Sequence, residues 1–235
     1  MAIIKLSNRL QAIASFVSYG AKVADIGTDH GYIPVWLAQN NIAFQITAAD
    51  INKGPLDHAI RTAAEYGVSD KIHFRLCSGL AFTDSAANDT VIVAGMGGEL
   101  IISILEAAPW TKKNTKLILQ PNTKIQDLVD WLTHNGYYVQ HAQLVKEAGK
   151  YYQILVVVGG ESRNIPNEAN RLVHDLYFKL KDPLLSEYLT YLITRYQHVE
   201  RGMLASKKES DELNRTQALI KQLEYMKKET EEWQL

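Results

Sequence analysis

The chain has 235 residues, 46% of them hydrophobic and 22% charged, with 25 basic residues against 26 acidic ones. This supplies apolar mass for one sizeable core plus an appendage, and it excludes a disordered chain or one that holds nucleic acid by bulk positive charge, so that any such binding must use a local patch. The single cysteine, Cys77, excludes an internal disulfide, no apolar run is long enough to span a membrane, the first residues do not read as a secretory signal, and no His and Cys spacing suggests a structural metal site; a cytoplasmic protein without a metal is expected.

Ser7 can cap a helix running to residue 16, with Leu10, Ile13, Ala14 and Val17 at helical spacing. A strand over 22–26 then enters Asp25-Ile26-Gly27-Thr28-Asp29-His30-Gly31, and a helix follows at 33–39, where Pro34 is tolerated in the first turn. A strand running into glycines and then a helix is the pattern of a nucleotide-cofactor loop, because Gly27 and Gly31 let the backbone turn sharply and approach a ligand. A dinucleotide site would carry a glycine where Asp29 stands. A carboxylate there repels phosphate and suits a cofactor with a positive end, such as the sulfonium and ammonium of S-adenosylmethionine. The next strand, 44–50, ends in Asp50, about 20 residues beyond the loop and placed to accept hydrogen bonds from ribose hydroxyls. The alternative for Asp50 is to cap the helix that opens at Asn52-Lys53-Gly54-Pro55.

Helix 55–66 leads to strand 71–77, which ends in Arg75-Leu76-Cys77-Ser78-Gly79-Leu80. Strand 89–94 meets Gly95-Met96-Gly97-Gly98, which reads as a tight turn before helix 99–107. Strand 116–120 precedes Pro121-Asn122 and helix 124–135, and strands 137–145 and 151–158 close the pattern. Strands alternating with helices require a parallel sheet covered on both faces, and the final pair makes the last strand antiparallel. Beyond Gly159-Gly160 a polar linker at 161–167 leads to a nearly all-helical part. It comprises a helix at 168–181, one marked by Leu185, Tyr188, Leu189, Leu192, Tyr196, Val199 and Met203, and one marked by Leu213, Ile220, Leu223 and Met226. The last two, separated by 207–211, read as an antiparallel hairpin or short coiled coil. Residues 1–160 thus form a cofactor-binding α/β domain and 161–235 a helical arm. The arm either stabilises or dimerises the protein or, given the modest basic excess over 163–208, grips a substrate.

The α/β part resembles the Rossmann-like, seven-stranded class I S-adenosylmethionine-dependent methyltransferase fold, in which ligands sit beyond the carboxyl ends of the strands. Leu6-Ser7-Asn8-Arg9-Leu10, Ala24-Asp25-Ile26-Gly27-Thr28-Asp29-His30-Gly31-Tyr32-Ile33-Pro34, Gly95-Met96-Gly97-Gly98 and Leu119-Gln120-Pro121-Asn122, in this order and followed by a helical arm, are similar to the bacterial tRNA adenine-22 N1-methyltransferase family. The resemblance implies a tRNA substrate, methyl transfer from S-adenosyl-L-methionine to N1 of an adenine, and a coiled-coil arm that helps to hold the tRNA. The Asn/Asp-Pro-Pro-aromatic sequence of amino methyltransferases is absent at 95–98, which counts against methylation of an adenine N6 or a glutamine amide. At the third strand relatives more often carry Gly-Asp-Gly where this chain has Cys77-Ser78-Gly79, and this leaves the adenine contact open.

The cofactor residues expected are Leu10, Asp25, Gly27, Gly31, Asp50, Ile51, Ser78, Gly79, Leu80, Gly95, Met96 and Gly97, with Leu80 the apolar wall for the adenine and Ser78 its hydrogen bond. Neutral adenine already carries a lone pair on N1, so attack needs no prior proton removal and catalysis can rest on alignment and desolvation. The product is a cation, which a nearby carboxylate stabilises as it develops. Asp29 is the candidate for that role, or else for holding the cofactor ammonium or tying down the loop, and Asn122 can orient the base edge. His30 and Tyr32 are available for stacking or for holding the loop, and Arg9, Lys112, Lys113, Lys116 and Lys124 for phosphate contacts. Two other classes stay open: a methyltransferase acting on a small molecule or protein, and an RNA-binding adaptor whose pocket only stabilises it, the latter opposed by Asp25, Gly27 and Asp50.

Overall fold

The computed structural model describes residues 3–82, 88–161, 165, 167–205, 211–231 and 233; most of the linker expected at 161–167 and of the separator at 207–211 lies outside these residues. The chain divides into two compact units, Met1–Asn164 and Ile165–Leu235.

In the first unit, α1 (Asn8–Ser15) starts at Ser7, whose hydroxyl accepts the Leu10 N–H at 3.5 Å, and it buries Ile13 and Ala14. There follow β1 (Ala21–Ile26), α2 (Tyr32–Gln39), β2 (Ala43–Asp50), α3 (Lys53–Glu65), β3 (Ile72–Leu76), β4 (Thr90–Gly97), α4 (Gly98–Glu106), β5 (Lys116–Thr123), α5 (Ile125–His134), β6 (Tyr137–Glu147) and β7 (Lys150–Gly159). The strands form one sheet in the order β3-β2-β1-β4-β5-β7-β6, with β1 to β5 parallel and β7 antiparallel to both its neighbours. Val91, Ile92 and Val93 of β4 and Leu117, Ile118 and Leu119 of β5 are all fully buried, as strands covered on both faces must be. Ala148 and Gly149, both with positive φ, make the two-residue turn that forces β7 back against β6. Val23, Ile46, Ile92, Ile118 and Ile154 pack in one cluster with Ile13, Val35, Leu37 and Ala38 of the helices.

The sheet order positions the site. The chain leaves β1 to pair β2 on one side and returns in β4 on the other, so the connections that follow β1 and β4 diverge and open a crevice at the carboxyl ends of the strands. One expected turn proves to be strand: β4 runs on to Gly97, pairing Met96 with Pro121 and Gly97 with Thr123 across two register shifts, and β5 likewise runs past Gln120 to Thr123. The bulge interrupts the ladder where Pro121, which has no N–H to give, enters the strand.

The second unit contains α6 (Glu168–Leu172), α7 (Leu176–Lys179), α8 (Leu185–Ala205) and α9 (Asp211–Glu231). The single helix expected at 168–181 is thus two. Val173 is extended and fully buried, and the ring of His174 accepts the Leu176 N–H at 3.2 Å, which replaces the helical bond at the break. α8 and α9 pack as an antiparallel pair: Gln217 donates to Glu200 at 2.8 Å, while the Thr216 hydroxyl lies 3.9 Å from the sulfur of Met203. Among the described residues no helix is long and apolar enough to cross a membrane.

Candidate active site

A cleft of about 380 Å³ lies at the crevice, lined by Arg9 and Leu10 of α1, Asp25 of β1, the loop Gly27 to His30, Tyr32 and Ile33 of α2, Ala94 and Gly95 of β4, Asn122 of β5 and Tyr152 of β7. Nine of the residues expected from sequence meet here: Arg9, Leu10, Asp25, Gly27, Asp29, His30, Tyr32, Gly95 and Asn122.

The loop is shaped by two close approaches. Gly27 lies directly under the flexible methyl of Met96 and takes φ +71°, a backbone angle that side-chain-bearing residues resist. Gly31, at φ +69°, starts α2 with no room for a side chain, since a Cβ would lie 2.9 Å from that of Ala59 in α3. Gly31 therefore fixes helix packing behind the loop and does not line the cleft. Asp29 takes a left-handed conformation that Asp tolerates, at φ 43°, and turns its carboxylate outward to 3.6 Å from His30 Nε2. The rings of His58, His30 and Tyr32 form a stack, with 5.2 Å between successive centroids and planes within 12° of parallel.

Asp25 is the buried charge of the site. Burial pushes its carboxyl from 3.8 up to about 6, the adjacent Thr28 hydroxyl partly opposes the rise, and the neighbouring Asp50 adds to it. A buried carboxyl so raised is stabilised as an anion by any cation that enters the cleft. Asp50 stands at the end of β2, where its Oδ1 accepts the Asn52 N–H at 2.8 Å; it thus ties the entrance of α3 from two residues before the helix N-cap, and its second oxygen has no such local bond.

Beyond β2 and β3, the residue expected as the adenine wall lies inward. Leu80 is only 3% exposed and belongs to the core, whereas Ile51 and Leu76 present apolar side chains that are 65% and 57% exposed. The reason is the turn after β3, in which Cys77 N–H donates to Asp50 O and Gly79 faces Ile104 of α4, drawing Leu80 inward. Ser78 stays exposed in that turn. Gly97 is the N-cap residue of α4, and its missing side chain leaves room for the Thr123 hydroxyl.

On the other side, Arg9 is held from several directions. Its N–H donates to Glu147 Oε2 at 2.8 Å, its Nη1 to Gln120 Oε1 at 2.6 Å, and its guanidinium lies 5.1 Å above the Tyr152 ring. Burial pushes the Glu147 carboxyl up, but the Arg9 N–H, the Ser7 hydroxyl and the Arg9 charge together leave it below its ordinary value. Gln120 in turn donates to Asn122 Oδ1 at 3.1 Å, and Asn122 Nδ2 donates to Gly95 O at 2.7 Å.

The lysines separate by strand direction. Lys112 and Lys113 precede β5 and so stand at the amino ends of the parallel strands, away from the cleft, with the Lys112 ammonium 5.6 Å over the Tyr137 ring. Lys116 is occupied by Phe16 O and the Ser18 hydroxyl. Lys124 does follow a carboxyl end, and it lies within 4 Å of Glu99 and Asp127. The tip of the β6–β7 hairpin adds Lys146, over Tyr151, and Lys150 beside the Arg9–Glu147 pair. Sequence reasoning missed His58, Gln120, Glu147 and Tyr152; the Gln-Pro-Asn stretch was a signal for Gln120, while nothing local marks the others.

The donor set suits S-adenosylmethionine: the buried Asp25 could hold its cationic end, Asp50 its ribose hydroxyls, and the exposed Ile51 and Leu76 its adenine. Residues 6–155 match the methyltransferase domain family. The tRNA (adenine(22)-N(1))-methyltransferase of Bacillus subtilis is 38% identical over 160 residues, 67% of each chain. The crystal structure of the B. subtilis M1A22 tRNA methyltransferase TrmK matches with a TM-score of 0.79 at 29% identity, over 97% of this chain and 98% of that one. A Streptococcus pneumoniae protein solved in complex with S-adenosyl-L-methionine matches with a TM-score of 0.78 at 31% identity, over 92% of this chain and all of that one.

Proposed function

Since the chain belongs to the methyltransferase domain family, in its tRNA (adenine(22)-N(1))-methyltransferase branch, we propose that it transfers a methyl group from S-adenosyl-L-methionine to N1 of adenine 22 in tRNA. The observation that carries this reading is the convergence of Asp25, Asp29, Asn122 and Arg9 on one cleft where β1 and β4 part. A cytoplasmic location follows from a tRNA substrate.

When bound, the cofactor supplies an electrophilic methyl on a sulfonium. Asp25 would hold the cationic end, Asp50 would accept from the ribose hydroxyls, and Ile51 and Leu76 would cover the adenine face. Adenine N1 attacks with a lone pair it already has, so no side chain need act as a base. Asp29, exposed at the cleft mouth, faces the positive charge that develops on the base. The target must be unstacked at a cost of a few kcal/mol, and the His58–His30–Tyr32 stack offers a surface on which it can restack. Lys124, Lys146 and Lys150 stand on the cleft side for flanking phosphates. Residues 1–160 form the catalytic domain in this reading, and 161–235 a tRNA-gripping arm.

The test is incubation with labelled S-adenosylmethionine and tRNA, followed by mass spectrometric location of the mark. Label at N1 of adenine 22, lost when that base is replaced by guanine, is expected. Label at another position, on protein, or nowhere would overturn the reading.

A further inference from the structure

The cleft contains a line of hydrogen bonds whose direction is set independently at both ends. A guanidinium can only donate, so Arg9 Nη1 makes its Gln120 neighbour the amide oxygen and turns the Gln120 NH2 toward Pro121 O, at 3.0 Å, and Asn122 Oδ1. A backbone carbonyl can only accept, so Gly95 O requires the Asn122 atom 2.7 Å away to be the amide nitrogen. The two requirements agree. Turning the Asn122 amide over would set NH2 against NH2 at Gln120 and oxygen against oxygen at Gly95. Gln120 is fully buried, so water could not relieve that clash.

Asn122 itself faces solvent and keeps one N–H and one oxygen lone pair for a ligand. A donor and an acceptor side by side complement the N7 acceptor and N6 amine of adenine. Guanine offers two acceptors, O6 and N7, on the same edge, which one donor beside one acceptor matches in neither direction; the fixed direction of the amide sets instead which way adenine must lie against it. The N1 and N6 edge of adenine also pairs an acceptor with a donor. There, however, the amide N–H would occupy the lone pair that must attack, so only the N6/N7 grip leaves N1 free.

We propose that Asn122 selects adenine by gripping its N6/N7 edge, and that Arg9 and Gln120 are positioning residues that lock its amide in the adenine-reading direction. The proposal rests on the N1-methylation reading and adds to it the residue that discriminates between purines.

The experiment compares tRNA carrying adenosine at position 22 with tRNA carrying 7-deazaadenosine there, which keeps N1 and the N6 amine but has C–H in place of N7. With the wild-type protein kcat/KM is expected to fall about 10-fold or more for the deaza base, the loss of one hydrogen bond of a bidentate pair. In Asn122→Ala, slower throughout, the two tRNAs should be used equally. In Gln120→Glu a carboxylate still meets Arg9 but cannot donate to Asn122, so the preference should again collapse while S-adenosylmethionine affinity stays within about threefold of wild type. Equal use of the two tRNAs by a wild-type protein that methylates adenosine well would overturn the proposal, as would a preference undiminished in folded Gln120→Glu. No methylation of the adenosine tRNA would overturn the functional reading and the proposal with it.

Discussion

Asp25→Asn separates the demands of folding from those of binding. The Asp25 carboxyl is 5% exposed, and burial lifts it from 3.8 to about 6. Because the folded value lies above the unfolded one, the folded chain holds the proton more tightly; the stability this group contributes is complete below about pH 4 and is lost as pH rises through about 6. At pH 8 the folded protein therefore carries a desolvated anion, and this rise corresponds to a cost of about 3 kcal/mol. Asparagine keeps the shape without the charge. The unliganded variant is expected to be more stable than wild type by about 1 to 3 kcal/mol at pH 8 and to match it near pH 4. It should also bind S-adenosylmethionine about 30-fold more weakly or worse, having lost the anion that faces the ammonium. Urea unfolding at pH 4, 6 and 8, with and without the cofactor, measures both effects. A variant less stable than wild type at pH 8, or a stability difference flat across that range, would refute the assignment of Asp25 as a strained, ligand-directed carboxylate.

The same linkage predicts that wild-type affinity for S-adenosylmethionine weakens below pH 6, approaching about tenfold per pH unit as Asp25 takes up its proton, and calorimetry across pH 5 to 8 checks this. Gly31→Ala should destabilise the protein by about 1 to 3 kcal/mol, because the added Cβ meets Ala59 at a backbone angle that alanine resists; an unchanged melting temperature would show that α3 can give way. For Asp29→Asn, stabilisation of the cationic product predicts a larger fall in turnover than in cofactor affinity, whereas equal losses would assign Asp29 to cofactor anchoring. A chain ending at residue 164, the limit of the first compact unit, should fold and bind S-adenosylmethionine but methylate tRNA poorly. Its tRNA binding should show a salt slope shallower by about 0.7 to 0.9 in log units for each phosphate that the arm no longer neutralises. Full tRNA affinity with an unchanged slope would remove the gripping role from the arm.

Much of the catalytic frame is legible in short stretches of chain. The apolar runs of β4 and β5, the cap at Ser7, the glycines that start α2 and the carboxylate ending β2 are each properties of a few adjacent residues, and backbone sterics and the helical period act at that range. The same locality explains the misreadings. Gly95-Met96-Gly97-Gly98 has the composition of a turn, yet pairing with Pro121 and Thr123 of another strand keeps it extended. Residues 168–181 have a helical pattern that the burial of Val173 and the ring of His174 interrupt.

What the sequence by itself determined is therefore the inventory: a parallel sheet, a glycine loop with an acid in place of a phosphate-facing glycine, and an amide after the fifth strand. Which residues share the cleft was decided only by the tertiary structure. Arg9 meets Gln120 across 111 positions of sequence and Glu147 across 138, and strand order and direction alone bring them together. For the same reason Lys112 and Lys113, candidates by charge, fall at the amino ends of the strands, while Tyr152 comes to the cleft because a two-residue turn reverses β7 against β6. Charge and ring type are written residue by residue, but the face and the end of the sheet that a side chain occupies depend on pairings between distant strands, which no local pattern specifies.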